Sequence, residues 1–225
     1  MNVKRVSIVS ALVTYPLLGA MLFGAAGTLA WPAGWSFFIA FVAGCLALTR
    51  WLYVTNPGLL EERFRGGKNQ KRWDKLFLVL IYIAFIAWWL AMPLDAVRYR
   101  WSHVPLVLQL AGVALVGASF YGIYLTFREN PFLSGVVRIQ DDRGHTVIST
   151  GPYRWVRHPL YASALLLFLG VPLWLGSWLG LAIGVPFCVL MSIRAIFEER
   201  TLARELPGYD AYAARVRYRL IPFVW

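Results

Sequence analysis

Cysteine is nearly absent from this chain. There are two in 225 residues, Cys45 and Cys188, each inside an apolar run, so no disulfide framework exists and both read as small buried hydrophobes. Acid is scarce as well, with 11 Asp and Glu against 22 Lys and Arg. Charge of either sign makes up 15% of the chain, where a soluble domain carries about 25%. Three separated histidines without clustered carboxylates give no metal-ligand spacing. No Gly-x-Gly-x-x-Gly follows a strand and no phosphate-binding loop is present. The Gly-x-Ser-x-Gly elbow of hydrolases is also missing. Internal repeats are absent, which argues against an inverted-repeat transporter.

What the chain has in quantity is apolar surface, at 59% hydrophobic residues with 11 Trp. Several runs approach or exceed the roughly 20 residues that cross a bilayer. Spans are expected at about 7–29, 33–54, 76–93, 104–126, 160–176 and 178–197. The fold class is therefore an all-α polytopic membrane protein with five or six transmembrane helices, the fifth run being short for a full crossing. Lys4-Arg5 before the first run mimics a signal peptide, but the run exceeds the ~7–15 residues of a signal core and reads as a retained first helix. Residues 1–126 form the N-terminal helices. Residues 127–225 form a C-terminal region with a polar loop, a helical hairpin and a tail.

The net charge of +11 would suggest nucleic acid in a soluble protein, yet here it follows topology and no nucleic-acid partner is expected. Of the 22 Lys and Arg, only Arg98 and Arg100 fall on one side of the expected spans. All others, Arg65 and Lys68 included, fall on the opposite side. The positive-inside rule then puts both termini and both polar regions in the cytoplasm, in a bacterial inner membrane. Val136 through Ile148 alternates like a small β-hairpin turning at Asp141-Asp142-Arg143-Gly144. The tail reads helical from about Gly208 to Val216.

Two constellations stand out. Gly151-Pro152-Tyr153-Arg154-Trp155-Val156-Arg157-His158-Pro159-Leu160-Tyr161 gathers cations and tyrosines at the start of the fifth span. Proline suits the first helical turn, and free N–H groups there suit an anion. The same residues also fit an interfacial belt of snorkelling Arg with Tyr and Trp at headgroup depth. In the second, Arg194 and Glu198 stand i and i+4 at the end of the last span, either as a structural ion pair or facing a wet cavity. Glu199 is expected to turn outward. His145 reads as polar surface, and His103 has no assigned role. Polar chemistry is expected only in the second half of the chain.

Taken together, Gly151-Pro152-Tyr153, Arg157-His158-Pro159-Leu160-Tyr161, Glu198-Glu199 and Gly208-Tyr209-Asp210-Ala211-Tyr212 resemble the C-terminal signature of the isoprenylcysteine carboxyl methyltransferase family, over about Asn130 to Pro222. The resemblance implies an S-adenosylmethionine-dependent membrane methyltransferase without a Rossmann domain, with a small cytoplasmic cofactor-binding region and a lipophilic or prenylated acceptor entering from the bilayer. By position it implies that His145, Thr146, Val147 and Ile148 line the cofactor, bordered by Tyr153, His158, Pro159, Leu160 and Tyr161. Glu198 is implied as an acidic partner and Arg194 as the arginine that engages the acceptor. Gln140 or Arg138 matches a cofactor-contacting glutamine.

This assignment agrees with the chemistry. Methyl transfer from a sulfonium is an in-line displacement that rests on alignment, and an ionised carboxylate acceptor needs no general base. Arg194 suits such a carboxylate through charge-assisted hydrogen bonds. Three alternatives stay open at this level: methylation of a lipid amine or thiol, an NADPH enzyme of the sterol-reductase type, and a transporter.

Overall fold

The computed structural model of the protein describes residues 3–64 and 70–225. Arg65 and Lys68 of the charge pattern lie outside them. Helix α1 (Val3–Ala26) and α2 (Pro32–Thr55) run antiparallel, and a short α3 (Pro57–Phe64) follows directly. Helix α4 (Arg72–Pro93) continues into a π-helical turn (Leu94–Arg98), and α5 is Leu106–Glu129. Short 3-10 turns at Asp141–Arg143 and Gly151–Arg154 precede α6 (Pro159–Leu175), α7 (Trp178–Glu205) and α8 (Tyr209–Arg215). Five of these helices, the one continuing through Arg98 included, are long and apolar enough to cross a membrane, and α6 is the shorter apolar one. The protein is all-helical and integral to the membrane.

The turns follow from local chemistry. Pro159 occupies the first turn of α6, with His158 as the capping position, where a missing N–H costs nothing. Gly176 ends α6 at φ 83°, a left-handed conformation that a side chain disfavours. Its N–H donates to Leu173 O at 3.1 Å while Ser177 N–H donates to Pro172 O at 2.9 Å, the hydrogen-bond pair of a glycine-terminated helix. Ser177 then caps α7 by accepting from Gly180 N–H at 2.8 Å. These contacts make the α6–α7 hairpin turn tight.

Small residues set the α5–α6 crossing. A methyl added to Gly112 would stand 2.6 Å from Gly170 O, so the two backbones touch. Ser119 Oγ donates to Ser163 O at 2.7 Å across the same seam. Close approach of small residues and interhelical hydroxyl bonds are the usual means of joining helices in lipid. Indole N–H groups bind the other helices together: Trp88 Nε1 donates to Gly180 O at 2.9 Å and Trp89 Nε1 to Leu18 O at 3.1 Å. Phe37, Phe168 and Phe187 fill the space around them.

Opposite the site, in the π-helical turn, Asp95 Oδ2 accepts from Ser102 Oγ at 2.6 Å, Ser177 Oγ at 2.6 Å and Leu179 N–H at 3.0 Å. This carboxylate is fully buried and fixes the hairpin tip to α4. The other end of the bundle, where α2, α5 and α7 finish and α3, α4 and α6 begin, carries the polar loop and the tail.

Candidate active site

The polar loop wraps around a cavity at that end. His145, Thr146, Val147, Ile148, Tyr153, His158, Pro159, Leu160, Tyr161, Arg194 and Glu198 all line it, so the structure brings together every predicted site residue but one. Gln140 is the exception. It is fully buried behind the wall, where its amide donates to Phe132 O and accepts from Arg143 Nη1 at 2.6 Å. Arg138 lines the cavity instead.

The expected β-hairpin is corrected by the structure. No strand occurs among the described residues, and only the turn survives, as a 3-10 turn at Asp141–Arg143 closed by Gly144 at φ 64°. The reason is competition for backbone groups. Val137 N–H donates to the buried Asp74 Oδ2 at 2.8 Å, and Gln140 N–H donates to His145 Nδ1 at 3.4 Å. Side chains thus hold the first arm, and the second arm is left extended. Among the described residues, Thr146, Val147 and Ile148 make no backbone hydrogen bond, so this cavity-lining stretch keeps free donors and acceptors.

Arg194 and Glu198 do not bond each other. The Tyr161 hydroxyl stands between them, donating to Glu198 Oε2 at 2.5 Å and accepting from Arg194 Nη1 at 2.6 Å. Arg194 Nε donates to Asp74 Oδ1 at 2.9 Å and Nη2 to Gly135 O at 3.3 Å. A carboxylate therefore already balances the arginine expected to face the acceptor.

Glu199, expected to turn outward, is tucked in and organises the tail. It meets Arg157 Nε at 2.8 Å, His158 Nε2 at 3.1 Å and Arg219 Nε at 2.9 Å. Backbone bonds from Arg157 N–H to Tyr218 O and from His158 N–H to Arg219 O, both 2.9 Å, seat the tail against the start of α6. The predicted helix at 208–216 is α8. Arg157 and His158 are thus held by an internal carboxylate, and the His158 ring stacks on Tyr161 at 5.4 Å.

Three tyrosines form the far wall: Tyr153, Tyr209 and Tyr212, packed with Leu206. Tyr153 Oη accepts from Asn130 Nδ2 at 2.8 Å, and Tyr212 Oη donates to Tyr153 O at 2.9 Å. The Tyr209 hydroxyl is buried with no hydrogen-bond partner. Burial pushes all three phenols above their ordinary range, so they serve as neutral walls. His145 packs on Phe132 at 4.7 Å, and its Nδ1 accepts weakly from Gln140 N–H at 3.4 Å. Burial lowers its pKa, consistent with a neutral ring.

The expectation that polar chemistry is confined to the second half is also corrected. Arg63 of α3 lines the cavity. Glu62 beside it grips Arg138 with both oxygens, at 2.7 and 2.8 Å. Asp74, in the first turn of α4, sets Arg194. An acidic residue at the start of an apolar span was the available signal for Asp74. Arg63 had none, since its charge is indistinguishable in sequence from the surrounding topogenic cations.

Fold and site together define a polytopic helical membrane protein whose functional cavity is built by a loop, a hairpin and a tail at one end of the bundle. Residues 108–207 match the family model of phospholipid methyltransferase, a family of the isoprenylcysteine carboxyl methyltransferase type of membrane methyltransferases. The match spans α5, the polar loop, α6 and α7, and so includes every predicted site residue. No curated protein matches the chain. The protein is thus an integral membrane protein that is similar, over this stretch, to phospholipid methyltransferases.

Proposed function

We propose that the protein transfers a methyl group from S-adenosylmethionine to a lipophilic acceptor that enters from the bilayer, with a carboxylate as the accepting group. Support comes from the donor set of the cavity, which the family-matched segment and the tail after it build together. The buried, partnerless Tyr209 hydroxyl, the Glu198 carboxylate and the free backbone groups of Thr146, Val147 and Ile148 face one space. An ammonium, ribose hydroxyls and an adenine edge are the complementary chemistry, so the residues present fit this cofactor.

When bound, the cofactor supplies an electrophilic sulfonium methyl: a C–O bond forms at the acceptor as the C–S bond breaks, with the electron pair leaving on sulfur. Glu198 holds the cationic end of the ligand, and the Tyr161 hydroxyl fixes the carboxylate in place. Tyr153, Tyr209 and Tyr212 present aromatic walls suited to a positively charged sulfur. Leu133, Pro159 and Leu160 make the acceptor side apolar and exclude water, which strengthens the surrounding electrostatics. No residue needs to act as a base toward an ionised carboxylate. The basic end of the bundle is the cytoplasmic one in this reading.

A second reading, transfer to a lipid amine, is favoured by the phospholipid methyltransferase description of the matching family. Incubating purified protein with methyl-labelled cofactor and a membrane lipid extract separates the two. Label released as volatile methanol by alkali indicates a carboxyl ester, and alkali-stable label in a lipid headgroup indicates an amine. No label in any lipid contradicts both.

A further inference from the structure

Four arginines line the cavity: Arg63, Arg138, Arg157 and Arg194. Three have a carboxylate of their own. Arg138 is paired with Glu62 at 2.7 Å, Arg157 with Glu199 at 2.8 Å and Arg194 with Asp74 at 2.9 Å. Arg63 has none among the described residues, and its one close partner is the face of Phe127, 4.9 Å from the ring centroid. The chain outside the described residues contains no Asp or Glu.

The setting makes this charge a recognition element. Arg63 keeps accessible surface while lining the partly open cavity near Arg194 and Tyr161, and surrounding protein desolvates it enough to lower its pKa. A guanidinium so placed attracts an anion more strongly than one in open water, and its planar fork matches a carboxylate or phosphate. Its position selects which ligand it meets. Arg63 sits on α3, whose Leu59 and Leu60 pack in one apolar cluster with Phe127, Leu133 and Leu160, and the last two of these line the cavity beside it. The tyrosine wall and the 146–148 stretch belong to the other side.

We infer that Arg63 is the specificity-determining residue for the acceptor: it binds the anionic group, carboxylate or phosphate, of an amphiphile entering beside α3. Arg194 is a positioning residue, tied to Asp74 and Tyr161. This inference rests on the methyltransferase reading for what happens to the bound amphiphile, and binding itself is tested separately.

The experiment uses the full-length protein in lipid nanodiscs and three soluble probes: N-acetyl-S-octylcysteine, its carboxamide and octyl phosphate. S-adenosylhomocysteine affinity is measured alongside. Wild-type protein should bind at least one anionic probe more tightly than the carboxamide, and the better of the two anions identifies a carboxylate or a phosphate source. Arg63→Gln should weaken the anionic probes by about tenfold or more, leaving the carboxamide and S-adenosylhomocysteine within about twofold. Arg63→Lys should restore part of the loss, since it returns the charge without the fork. Equal binding of anionic and neutral probes by wild-type protein overturns the inference. So does an Arg63→Gln loss confined to S-adenosylhomocysteine, which would assign Arg63 to the cofactor carboxylate. Failure of wild-type protein to bind S-adenosylhomocysteine contradicts the methyltransferase reading, while the probe arm still decides Arg63.

Discussion

Arg194 on α7 and Asp74 on α4 stand 120 positions apart and form a buried ion pair of 2.9 Å. Through it the N-terminal helices fix the geometry of the site. Asp74 has one oxygen on Arg194 and the other on Val137 N–H and Gln70 Nε2, so a single carboxylate aligns α7 and the polar loop together.

Asp74→Ala should therefore destabilise the protein by about 3–5 kcal/mol, the cost of leaving a buried charge without its partner. Thermal unfolding in detergent or nanodiscs checks this. An unchanged melting temperature would show that Arg194 finds another partner.

Tyr209→Phe separates ligand binding from folding. The hydroxyl is buried and bonds nothing in the protein, so removing it should leave the melting temperature unchanged or slightly raised. Affinity for S-adenosylhomocysteine should fall by about three- to tenfold, the range of one hydrogen bond. Loss of stability with full affinity would place the hydroxyl in a structural role.

Glu198→Gln should keep the fold, because Tyr161 can still donate to the amide oxygen. Its effect should fall on the charge: S-adenosylhomocysteine affinity down by about tenfold or more, as a hydrogen-bonded charge pair with the ammonium is lost. Unaltered affinity would remove Glu198 from the cofactor site.

His145 gives the site an acid limit. Its pKa is lowered mainly by burial, so the folded protein favours the neutral ring. The resulting stability is fully present above the unfolded value of about 6.5 and is lost as pH falls through the lower folded value. Melting temperature measured from pH 8 down to 5 should drop more steeply in wild-type protein than in His145→Asn. Identical profiles would show that His145 does not contribute.

Much of this protein was legible in the sequence because lipid imposes simple rules. Apolar length marks the spans, and Pro159 marks the start of α6. The cluster from Tyr153 to Tyr161 and the pair Arg194 and Glu198 could be placed on one site because local spacing and resemblance agreed. The extended arms at 136–148 were read as a hairpin because alternation predicts extended backbone but does not reveal which group takes its hydrogen bonds. Here Asp74 takes the N–H of Val137. Glu199 was misplaced because helical spacing sets an angle and cannot show that Arg157, His158 and Arg219 wait at that angle. Arg63 was hidden for a similar reason: its importance lies in the carboxylate it lacks, which only the packed structure displays.

The most direct measurement of the central claim is isothermal titration of S-adenosylhomocysteine into the purified full-length protein in nanodiscs, wild type beside Glu198→Gln. The account predicts one saturable site per chain in the wild type and a clear loss of affinity in the variant. Absence of saturable binding by properly folded wild-type protein would contradict it.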